Sequence, residues 1–155
     1  MKTFVPKVGG VSFEDGKDRA RLIVSGDDTD GAYSLLEWCV GPGAQLAADV
    51  ARDYGAHRHR ECEEAFLVTS GELEFLLGNA VNVFRAGDFI RVPKGVRHGY
   101  QNTSGKPVDM LVTFVPAGLE QLFVKYRTDQ PETPGPGFVE EATRDHASEF
   151  GLSFP

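Results

Sequence analysis

Four histidines occur in the 155 residues of this chain, and two of them stand one residue apart in GAHRHRECEEAFLVTSG, residues 55 to 71. In an extended strand alternate side chains point the same way, so His57 and His59 share one face while Arg58 and Arg60 take the outer one. Two imidazoles on one face are half of a metal site. Farther along, GDFIRVPKGVRHGYQN places His98, Tyr100 and Asn102 on one face of another strand, after a turn at Pro93 and Gly95. Three imidazoles and a carboxylate turned inward from separate strands make a mixed nitrogen and oxygen donor set suited to a divalent transition metal: Fe, Mn, Ni, Co or Zn. Unlike a closed four-cysteine site, it leaves coordination positions for water or substrate. The carboxylate is one of two neighbours. If a strand begins near Glu63, then Glu64, Phe66, Val68 and Ser70 share one face and Glu63, Ala65 and Leu67 the other, and parity alone does not choose between the glutamates.

The elements that must position these residues are short strands. RLIVSG, AYSLLEWCVGPG, EEAFLVTSG, ELEFLLGN, AVNVFRAGD, DFIRVPKG, RHGYQNTSG and PVDMLVTFVP follow one another between residues 21 and 116, separated by Gly, Pro and Asn. Such runs without intervening helices predict an all-β sandwich or barrel. After Pro116 the period changes: Leu119, Leu122, Phe123 and Tyr126 fall on one helical face. QPETPGPG is a linker whose prolines stop a helix, and GFVEEATRDHASEF predicts a second helix with Gly151 as its stop. The expected organisation is an N-terminal arm over 1–20, a barrel over 21–116 and a helical extension over 117–155. Phe66, Phe75, Phe84, Phe89 and Phe114 are expected in the barrel core.

Composition narrows the function classes. With 41% apolar and 25% charged residues the chain is expected to pack a core at this length, as one domain. A net charge of −7 argues against general nucleic-acid binding, which needs clustered cations. The first twenty residues lack the apolar region of a secretory signal, and no run approaches a membrane span, so neither membrane nor nucleic acid is expected as a partner and the expected location is cytoplasmic. Cys39 and Cys62 do not make a disulfide framework and read as structural thiols, although Cys62 lies between His59 and Glu64.

His57, His59, Glu64 and Gly71 resemble the first motif of the cupin superfamily, an HxH pair followed after four residues by Glu and after six more by Gly. Gly87, Pro93, Gly95, His98 and Asn102 look like the second, G(x)5PxG(x)2H(x)3N. The glycine that usually opens the first motif is Ala51 here, and the nearest is Gly55. The resemblance implies a cupin β-barrel, a double-stranded β-helix or jelly roll with short C-terminal helices, holding a 3-His/1-Glu metal centre, and it selects Glu64 as the carboxylate. The flanks are similar to single-domain cupins of the quercetin-dioxygenase-like kind.

That likeness implies a dioxygenase acting on a small aromatic or flavonol-like substrate, in which Glu64 is a ligand and, if it loosens on substrate binding, a general base. A non-redox isomerase, cyclase or lyase, or a small-molecule binding cupin, fits the same residues. Tyr100 and Phe66 are expected to line the substrate pocket, with core filling as their plainer role. Glu63 and His146 read as outer-face or packing residues, and the resemblance also implies a homodimer.

Overall fold

The computed structural model describes residues 9–15, 17–44, 54–128 and 151–153. Ten strands in chain order, β1 (Val11–Asp15), β2 (Asp18–Val24), β3 (Ser34–Val40), β4 (Arg58–His59), β5 (Glu63–Ser70), β6 (Glu72–Leu77), β7 (Ala80–Arg85), β8 (Phe89–Val92), β9 (His98–Gln101) and β10 (Val108–Val115), precede helix α1 (Glu120–Thr128) and a last short strand, β11 (Leu152–Ser153). Two antiparallel sheets form a jelly roll: one ordered β1-β2-β3-β10-β5-β8, the other β7-β6-β9, with β11 paired to β4 beside them.

Alternation along the strands makes the interior. On β5 the residues Glu64, Phe66 and Val68 are buried, and on β10 Val108, Met110, Val112 and Phe114 are. The register aligns these positions in rows across the large sheet. Leu36, Val112, Phe66 and Ile90 form one row, and Ser34, Phe114, Glu64 and Val92 the next. The smaller sheet answers with Phe75 opposite Tyr100 and Leu77 opposite His98. Phe66 and Phe75 meet edge to face, ring centres 5.0 Å apart, joining the two inner faces. Each such buried ring contributes roughly 1.5–3 kcal/mol through removal of apolar surface from water. In the second row a carboxylate occupies a position that the pattern otherwise gives to apolar side chains, and that place needs a compensating charge.

Strand structure begins before residue 21. Strands β1 and β2 pair antiparallel on the edge of the large sheet, with Phe13 the buried apolar residue of β1. The surrounding charges hide its alternation in the sequence. Phe13 stacks on Phe123 of α1 at 5.2 Å and meets Trp38 edge-on at 5.7 Å. Helix α1 forms where the 119/122/123 face predicts it, with Leu119 and Leu122 buried. Glu120 accepts from the backbone N–H of Gly118 (2.6 Å) and of Gly26 (2.9 Å), tying the helix start to the loop before β3.

Phe89 is a correction to the expected core. It is 63% exposed, because Ile90 and Val92 take the inner face of β8 and leave Phe89 and Arg91 outside. The expected linker, second helix and His146 lie outside the described residues. After them, the Gly151 carbonyl accepts from Arg60 N–H (2.9 Å) and β11 pairs with β4. Among the described residues no helix is long and apolar enough to cross a membrane.

Candidate metal centre

The HxH segment is held by the strand that carries His98. His57 and His98 exchange both backbone hydrogen bonds, at 2.9 and 3.0 Å. Gly99 makes that approach possible: a Cβ there would lie 2.2 Å from the carbonyl oxygen of Tyr54. Gly95, at φ +75°, donates its N–H to the carbonyl of His59 at 2.7 Å. Two glycines of the region around His98 thus hold the backbone that carries His57 and His59. Glu64, near the start of β5, completes the group from the large sheet.

The four side chains converge. His57, His59, Glu64 and His98 are 6%, 4%, 7% and 0% exposed, and one ligand atom from each lies within 4.8 Å of all the others. His57 Nε2 is 2.8 Å from His59 Nε2, and Glu64 Oε2 is 2.8 Å from His98 Nε2 and 3.2 Å from His59 Nε2. Nδ1 of His57 lies 2.8 Å from the Gly55 carbonyl and Nδ1 of His98 lies 3.0 Å from that of Val96. A carbonyl only accepts, so both rings carry a proton on Nδ1 and turn Nε2 inward. His59 Nδ1 faces the Cys62 sulfur at 3.6 Å.

The electrostatics follow from burial. Burial, and after it the charges of His98 and His59, hold the His57 imidazole well below its ordinary value, so it is neutral and free to ligate. Burial alone would push the Glu64 carboxyl up. The positive charge of His59 and hydrogen bonds from His59 and His98 outweigh it and hold the group well below the usual carboxylate range. Burial, reinforced by the Glu64 charge, pushes the Cys62 thiol up to about 12, so it is not a thiolate ligand at neutral pH.

This donor set fits a metal. Neighbouring ligand atoms around a first-row ion with bonds of about 2.0–2.1 Å stand roughly 3 Å apart, which is the spacing of the three close pairs here, at 2.8, 2.8 and 3.2 Å. Inward lone pairs that close, beside a buried carboxylate flanked by Phe114 and Val92, need a cation or protons between them.

The other expected residues divide. Glu63 lies outside, paired with Arg91 at 2.7 and 2.9 Å. Arg58 and Arg60 are exposed, as their parity requires. Phe66 lies beside the centre, its ring 6.4 Å from that of His98. Tyr100 is buried, and its hydroxyl donates to Asp18 at 3.4 Å, a carboxylate that also accepts from Trp38 Nε1 (3.0 Å) and Gly41 N–H (3.1 Å). Asn102 braces a turn, donating to the carbonyls of Val40, Gly41 and Lys106. Sequence reasoning did not foresee Phe75 stacked on His98 at 6.3 Å, Phe114 on His59 at 5.8 Å, or Ser34 in the row of Glu64. Among the described residues, Ser34 Oγ is the one buried side-chain oxygen or nitrogen without a hydrogen-bond partner. The parity of β3 and β10 was the available signal.

Residues 38–114 match the family model of the cupin domain. The chain belongs to the cupin superfamily. Solved structures similar to this cupin include a nucleoside dehydratase of Streptomyces (20% identity, TM-score 0.60, covering 78% of this chain and 88% of the other). An RmlC-like cupin from Shewanella frigidimarina is similar at 18% identity and TM-score 0.59, over 76% and 93% of the two chains. The polyketide cyclase RemF from Streptomyces resistomycificus is similar at 21% and 0.58, over 74% and 80%. At these identities the likeness is one of fold. No curated protein matches this cupin in sequence.

Proposed function

We propose that this cupin is a metal-dependent enzyme that binds a small-molecule substrate at the centre formed by His57, His59, Glu64 and His98. The observation that carries the reading is the convergence of four buried ligand atoms, with His57 and His98 locked in the tautomer that ligation requires. When bound, a divalent metal supplies Lewis acidity and, for Fe, Mn, Ni or Co, redox chemistry with O2. The residues around it supply the rest. Phe66, Phe75 and Phe114 make a dry wall that strengthens electrostatic contacts and excludes water. Glu64 Oε2, which contacts two imidazoles, takes and returns a substrate proton as general base once substrate binding loosens it from them. Phe66 and Tyr100 line the substrate side.

The favoured reaction is dioxygenation of an aromatic or flavonol-like compound, supported by the quercetin-dioxygenase-like pattern and by a donor set open to redox metals. A non-redox lyase, cyclase or isomerase is the second reading. The similar folds of a nucleoside dehydratase and a polyketide cyclase favour it. The working form is a homodimer in the cytoplasm. Turnover of flavonol and polyketide-like substrates by metal-loaded protein, with and without O2, tests the choice. Turnover with matching oxygen uptake supports the dioxygenase, turnover unchanged under anaerobic conditions supports the second reading, and no turnover of any substrate counts against both.

A further inference from the structure

The three histidines of the centre are not held alike. His57 and His98 each face a backbone carbonyl, which can only accept, so their tautomers are fixed whatever occupies the centre. His59 faces the buried Cys62 thiol, Sγ 3.6 Å from Nδ1, and a thiol both donates and accepts. On its inner side His59 Nε2 lies 2.8 Å from His57 Nε2 and 3.2 Å from Glu64 Oε2. Two hydrogen-bond patterns for His59 therefore fit one set of atomic positions. In the first, the Cys62 S–H donates to His59 Nδ1, and the proton on His59 Nε2 is shared with His57 Nε2 and Glu64 Oε2. In the second, His59 Nδ1–H donates to the sulfur, and Nε2 is left bare toward the centre.

We propose that Cys62 is a positioning residue whose thiol lets His59 exchange tautomers without moving, so that both ring nitrogens of His59 are partnered with and without metal. The proposal rests on the metal-centre reading above and adds the role of Cys62 to it. The exchange conserves protons within the ring: Nε2–H is given up as the metal arrives, and Nδ1 takes a proton from solvent while the thiol rotates from donor to acceptor. No bond to sulfur is made or broken. A side chain without such a group, placed at 62, leaves Nδ1–H of the ligating tautomer buried and unpaired, a loss of the kind that costs metal sites about 10–100-fold in affinity.

Two measurements test this. Long-range proton–nitrogen correlation spectra of the wild-type protein at about pH 8 report which ring nitrogen of His59 carries the proton, before and after addition of zinc alone. The proposal expects Nε2–H in the metal-free protein and Nδ1–H with zinc, while His57 and His98 keep Nδ1–H throughout. Zinc affinity is then compared among wild type, Cys62→Ser and Cys62→Ala. Serine, which donates and accepts, should stay near wild type, and alanine should weaken zinc at least about 10-fold. A His59 that carries Nδ1–H in both states, or an alanine variant that binds zinc as wild type does, overturns the proposal. If the wild-type protein takes up no zinc, the metal-centre reading is what fails. The metal-free tautomer then decides the role of Cys62: Nε2–H supports donation by the thiol, and Nδ1–H refutes it.

Discussion

Replacing Glu64 by Gln removes one negative charge from the centre and leaves the shape almost unchanged. The carboxylate is buried and lies 2.8 and 3.2 Å from two imidazole nitrogens, so in the metal-free protein it is the counter-charge for any proton they hold. Removing one partner of a buried ion pair costs about 3–5 kcal/mol when the remaining charge has no escape. The partners here are imidazoles rather than fixed charges, so the expected loss for Glu64→Gln is somewhat less, about 2–4 kcal/mol near pH 6. The sign at low pH follows from the direction of the Glu64 shift. Its folded value lies below the ordinary 4.5, so its stabilising contribution is complete above about pH 4.5 and is lost as pH falls toward the folded value. The gap between wild type and Glu64→Gln should therefore narrow below pH 4.5, by roughly 1 kcal/mol for each pH unit. Urea unfolding of chelator-treated protein between pH 3 and 7 measures it. A gap that widens below pH 4.5, or one under about 1 kcal/mol at pH 6, refutes the assignment of Glu64 as the buried counter-charge.

Ser34→Ala removes a buried hydroxyl that has no partner, so stability should be unchanged or rise by about 1 kcal/mol in thermal unfolding. A loss of more than that would mean that the hydroxyl is satisfied in solution. Gly99→Ala sets a methyl group against the Tyr54 carbonyl and should cost at least about 1–3 kcal/mol while weakening metal retention, because the strand under His57 is forced away. Phe66→Ala opens the barrel interior and should lower stability by about 3–5 kcal/mol in chemical denaturation. The metal-free protein should also lose stability as pH falls below about 6.5. The depressed His57 stays neutral in the fold while its unfolded counterpart protonates, a dependence that saturating metal should suppress.

Much of the centre is legible in the sequence because strand parity is a local property. The HRHR run sorts itself: histidines inside, arginines outside. Choosing Glu64 over Glu63 needs the register of β5 against β8 and β10, which pairs Glu64 with Val92 and Phe114 and leaves Glu63 to Arg91. Only the motif likeness carried that information. Phe89 shows how residue type misleads when parity is set aside, since Ile90 and Val92 already claim the inner face. The pairing of β11 with β4, the hydrogen bonds from Trp38 and Tyr100 to Asp18, and the stacking of Phe75 on His98 join residues far apart in the chain. Nothing periodic in the sequence marks them.

That His57, His59, Glu64 and His98 hold a metal is tested most directly by the metal content of protein purified without a tag or added metal. Mass spectrometry of wild type beside a His57→Ala/His98→Ala variant gives it. A divalent transition metal near one per chain in wild type and absent from the variant is the expected result. Metal in neither protein, or the same metal in both, contradicts the assignment.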